Sequence, residues 1–129
     1  MKTKFFIIVF ILALGNIKAQ DMAGITPPVY PGCEEQALKM QCMREQILKL
    51  VSENFNPQVL NGIEKRPVIV ETAFTITHEG KIEINEVKTG NESLRMEIFK
   101  VLSKIPPVKP AEKDGIPIAI QYKIPLVFQ

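Results

Sequence analysis

The chain has 129 residues, 23% of them charged, with two cysteines, one histidine and no tryptophan, and a formal charge of +2 at pH 7. Three of its 16 basic residues, Lys2, Lys4 and Lys18, precede Ala19; without them 13 basic residues stand against 14 acidic ones, a net charge of −1. A chain so balanced has no electrostatic footprint for nucleic acid or an anionic membrane surface, and about 110 residues suffice for one small domain with one core.

The chain opens with Lys2 and Lys4, runs apolar from Phe5 to Leu14, and reaches a small residue at Ala19. That order describes a secretory signal peptide over residues 1–19, cleaved near Ala19 or Gln20. The apolar run is too short to span a bilayer, which takes about 20 residues. Export carries the product to an oxidising compartment. Residues 20–32 are rich in proline and glycine and read as an extended lead-in, and residues 33–129 as the domain.

Glu34 to Asn54 reads as a helix, with Leu38, Cys42, Met43, Ile47, Leu50, Val51 and Asn54 at spacings of three and four. Cys33 and Cys42 bear on where it begins. Nine residues of unbroken helix would part them by roughly 13 Å, too far for a bridge. Either the helix begins inside this interval or both thiols are free, and an oxidising destination favours the disulfide. Arg66 to Thr77 alternates, with Val68, Val70, Thr72, Phe74 and Ile76 on one face. His78-Glu79-Gly80-Lys81 is a hairpin connection. Ile82, Ile84 and Val87 form the return strand, and their change of parity predicts a bulge near Asn85. Leu94, Ile98, Val101, Leu102 and Ile105 form a second amphipathic helix, capped by Asn91 or Ser93 and stopped by Pro106-Pro107. Lys109 to Gly115 reads as a polar loop.

The last stretch, Ile116 to Phe128, alternates strictly. Its even positions are Ile116, Ile118, Ile120, Tyr122, Ile124, Leu126 and Phe128, and both prolines, Pro117 and Pro125, are odd. Residues of one parity turn their backbone groups to one lateral side. The even residues therefore face the core and bond an inner neighbour, while the odd ones face outward, where proline has no N–H to give. This predicts one long edge strand with a free pairing window at Ala119, Gln121 and Lys123. The order helix, strand, strand, helix, strand predicts an α+β fold: a small three-stranded antiparallel sheet with two helices packed on one face.

Catalysis finds no constellation of side chains. His78 sits at a hairpin tip, the serines lack a nucleophile-elbow setting, and Gly80, Gly90 and Gly115 each stand alone at turns. No catalytic residue, metal ligand or cofactor is assigned, and the chain does not read as an enzyme. Two cysteines this far apart without a neighbouring histidine make no metal site.

Several pieces together resemble the carboxy-terminal domain of TonB in its Bacteroidetes-type form. They are Tyr30-Pro31-Gly32-Cys33-Glu34, Cys42-Met43, Val68-Ile69-Val70 to Phe74-Thr75-Ile76, Gly80-Lys81-Ile82, Pro106-Pro107-Val108-Lys109-Pro110, and Gly115-Ile116-Pro117-Ile118 running to Phe128. The resemblance covers about residues 28–129. It implies a periplasmic, peptide-binding module that takes the TonB box of an outer-membrane receptor as an added strand beside its last strand, as an accessory to TonB-dependent transport. Carried over, it gives Ala119, Gln121 and Lys123 as partner-binding residues, with Tyr30 and Pro31 near the partner segment. A cleavable signal stands where a transducing TonB has a membrane helix, and the long proline-rich spacer is absent, so the resemblance extends to binding and not to energy transduction. The alternative is a structural domain that forms a homodimer through the same edge.

Overall fold

The computed structural model describes residues 24–129. The signal peptide and its cleavage site lie outside the described residues. The architecture is α+β, with two helices and two three-stranded antiparallel sheets.

The main sheet has the order β3-β2-β6, with β2 at Val68–Ile76, β3 at Ile82–Lys88 and β6 at Ile120–Phe128. Alternation set these strands. In β2 the even residues Val70, Thr72, Phe74 and Ile76 are buried, and in β6 Ile124 and Leu126 are. The opposite face carries exposed Ile69, Glu71, Glu83, Glu86 and Lys123. The register between β2 and β3 shifts between Ala73 and Phe74, which pair with Glu86 and Ile84. Asn85 is thus the extra residue, where the parity change predicts it. The connecting turn closes through Thr77, whose N–H bonds the Lys81 carbonyl at 2.8 Å.

Both helices cover the even face of this sheet. Helix α1, Lys39–Asn54, buries Met43, Ile47 and Val51. Helix α2, Glu92–Leu102, buries Leu94, Ile98, Val101 and Leu102, a spacing that makes one apolar stripe. The Asn91 side chain accepts from the Leu94 N–H at 2.9 Å and caps α2. Its buried Glu97 accepts from the Asn56 N–H at 2.8 Å, tying α2 to the one-turn helix Pro57–Leu60 that follows α1.

Three expectations need correction. The first helix begins at Lys39 and not Glu34. Cys33 and Cys42 are joined by a disulfide with their Cα atoms 5.9 Å apart, and a bridge of that span cannot close across continuous helix. Residues 30–36 instead form turns, with the Cys33 N–H bonded to the Tyr30 carbonyl and the Gln36 N–H to the Cys33 carbonyl. The Lys39 ammonium then reaches back to the carbonyls of Glu34 and Gln36.

The other two corrections concern the end of the chain. The span Lys109–Gly115 is not simply a loop, and the final strand is not continuous. Ala111–Lys113 is strand β4 and Ile116–Ile118 is strand β5. They form a hairpin across Asp114 and Gly115, whose φ angles of 51° and 83° define a tight turn with both central residues left-handed. Ile25–Thr26, within the lead-in, adds as β1 on the other side of β4 and completes the order β1-β4-β5. The last strand is therefore divided at Ala119, pairing with β4 before it and β2 after it.

Candidate strand-docking edge

The main sheet ends in two edges, and they are treated differently. The β3 edge carries the Asn85 bulge and exposed Glu83, Glu86 and Lys88, devices that discourage pairing. The β6 strand pairs with Val68–Ile76 in one continuous register, and its outer rim is interrupted only at Pro125.

The direction of the β6 backbone follows from two observations. The Thr72 hydroxyl donates to the Ile124 carbonyl at 2.7 Å, so that carbonyl is turned inward toward β2. In the preceding hairpin a two-residue turn makes Lys113 and Ile116 a hydrogen-bonded pair. The even residues thus bond inward on both sides of Ala119, and the odd ones are turned out. Gln121 and Lys123 present both N–H and C=O on the free rim. Pro125 presents only its carbonyl, and Val127 resumes the full pattern beyond it.

The rim is bordered on the helix side by a groove between α1 and β6. Toward the end of β6 it widens into a cavity of about 450 Å3 lined by Leu48, Phe55, Pro57, Leu126 and Phe128 among others, none of them charged. The Phe55 and Phe128 rings stack at 4.4 Å and fix one wall. Toward Tyr122 a second cavity of about 510 Å3 is lined by Met40, Gln41, Arg44, Glu45 and again Leu48. Tyr122 packs on Phe74 at 5.4 Å. Burial raises its phenol above the ordinary value, with the Arg44 charge acting against that rise. On the opposite face, Lys123 borders a smaller cavity of about 210 Å3 with Glu71, Glu86 and Lys88.

The structure gathers only part of the residue set read from the sequence. Gln121 and Lys123 lie on β6, exposed, opposite Thr75 and Ala73. Ala119 sits exposed at the junction of the two sheets. Tyr30 is a core residue, 7% exposed, and burial raises its phenol; Pro31 beside it is exposed. Reciprocal backbone bonds of 3.0 and 2.9 Å join Val29 to Lys109, so the lead-in lies across β4 from β5 and Ala119. Cys33 and Cys42 anchor that lead-in to α1.

The α1 wall of the groove escaped the reading of the sequence. Its signal was Leu48, a leucine outside the stripe of Met43, Ile47 and Val51 and 37% exposed in the fold. Among the described residues no helix is long and apolar enough to cross a membrane. Comparison with protein-family models, with curated proteins and with solved structures finds no match.

Proposed function

We propose that the mature chain is an exported, periplasmic TonB-like module that binds an extended peptide by adding it to β6, the peptide being the TonB box of an outer-membrane receptor. The observation that carries this reading is the contrast between the two sheet edges: β3 is bulged and charged, while β6 keeps an outward rim at Gln121 and Lys123. An added strand draws affinity from main-chain hydrogen bonds and selectivity from the pockets beside it. The disulfide suits an oxidising compartment, and the apolar run at Phe5–Leu14 suits a signal peptide.

The test is a titration of the isotope-labelled mature chain with TonB-box peptides from receptors of the same genome, following backbone amide shifts. Shifts centred on Ala119 to Lys123 are expected. Their absence at millimolar peptide, together with a concentration-dependent dimer in sedimentation, would assign the edge to a second copy of the chain.

A further inference from the structure

A strand edge alone has little power of choice, because main-chain groups are the same in every peptide. In this fold the edge is paired with a helix. A strand added along β6 turns alternate side chains to the helix-covered face, and on that face they meet α1. Leu48 lines both cavities of the groove and is the one α1 residue common to them. The cavity nearer Leu126 and Phe128 has no charged lining, and one of its walls is held by the Phe55–Phe128 stack.

We propose that Leu48 is a specificity-determining residue: the groove beside β6 selects an extended segment with a large apolar side chain facing α1 at the level of Leu126 to Phe128. The inference rests on the strand-addition reading above. A bare peptide strand fits this place better than a second copy. A second β6 would arrive with its own even side chains already buried under its own α1, as Ile124 and Leu126 are here at 1% exposure. Two α1 helices would then compete for one groove. A charged side chain at this level meets no opposite charge, since Ser52 is the one polar side chain in that lining, and desolvating it there is costly.

The test uses the mature chain, its Leu48→Glu and Leu48→Gln variants, and two synthetic peptides. One peptide alternates leucine with threonine, and the other has serine in place of every leucine. Leu48 is partly exposed and outside the core stripe, so both variants are expected to keep the native circular dichroism spectrum, and the uncharged one separates loss of apolar contact from added charge. The leucine peptide is expected to bind the parent about tenfold more tightly than the serine peptide, and both variants to lose most of that preference. Both peptides should still shift the amides of Gln121 and Lys123. An undiminished preference in both variants, with those shifts present, overturns the role of Leu48 and leaves strand addition standing. If neither these peptides nor the TonB-box peptides move Gln121 or Lys123, strand addition fails and this inference with it. A stable dimer of the parent that Leu48→Glu dissociates would give the groove to a second copy and overturn the proposal.

Discussion

At the residue scale the fold has a position, Gly80, where no side chain fits. Gly80 has φ +84°, and a Cβ there would lie 1.9 Å from the Val108 carbonyl oxygen. The Val108 N–H in turn bonds the Gly80 carbonyl at 2.9 Å, so the β2–β3 turn is locked to the segment before β4. Gly80→Ala meets both left-handed strain and a backbone clash, and is expected to cost at least about 2 kcal/mol in urea unfolding. Tyr30 makes a prediction in pH. Burial raises its phenol in the folded chain, so the folded state holds that proton to higher pH than the unfolded state does. The contribution is fully present below the ordinary tyrosine value of about 10 and is lost as pH rises through the folded value. Unfolding midpoints measured from neutral pH upward should fall less steeply above about pH 10 in Tyr30→Phe than in the parent.

At the element scale the disulfide decides where α1 begins. Cys33 is fully buried and Cys42 lies in the first turn of the helix, so the bridge holds the Tyr30–Gln36 turns against the helix start. Closing a loop of this length is worth about 3 kcal/mol through the unfolded chain. Reduction and alkylation should lower stability by about that amount, while β2, β3 and α2 keep their hydrogen-exchange protection pattern relative to one another. The elements legible in the sequence were those in which one local pattern carried all the information. The alternation of Val68–Ile76 and the parity change that placed a bulge near Asn85 are of that kind, and the cap of α2 was narrowed to Asn91 or Ser93, of which Asn91 is the one used. The start of α1 was legible only through the cysteines: periodicity from Leu38 onward carries nothing of the turns upstream, and the favoured bridge, now seen, required a start between Cys33 and Cys42 without placing it at Lys39. The β4–β5 hairpin was missed although Asp114-Gly115 is a strong turn signal, since its strands are only three residues each and β1 contributes two. Such short strands hold by pairing with one another across the chain. Of the candidate site, the outward parity of Gln121 and Lys123 was written in the positions of Pro117 and Pro125. The groove was not, because it depends on α1 lying over β6.

At the scale of the whole molecule, two small sheets meet at Ala119 and share one outward rim. The even residues are committed to β4 and then to β2, so an incoming strand need not disturb any existing pair. That separation gives a sharp prediction. Gln121 is exposed and opposite Thr75, and its N–H faces away from β2. Gln121→Pro removes this donor while leaving the inward bonds of Ile120 and Tyr122 in place, since proline is tolerated on the free side of an edge strand. The same substitution at Tyr122 would remove an inward donor and should lower stability by about 3 kcal/mol or more. Gln121→Pro should therefore unfold near the parent midpoint yet bind extended peptide more weakly by about 1 kcal/mol, roughly fivefold. Gln121→Ala keeps the N–H and should bind as the parent does. Equal affinity for all three folded proteins would mean that main-chain pairing at Gln121 plays no part in binding. A loss shared by Gln121→Ala would move recognition from the backbone to the glutamine side chain.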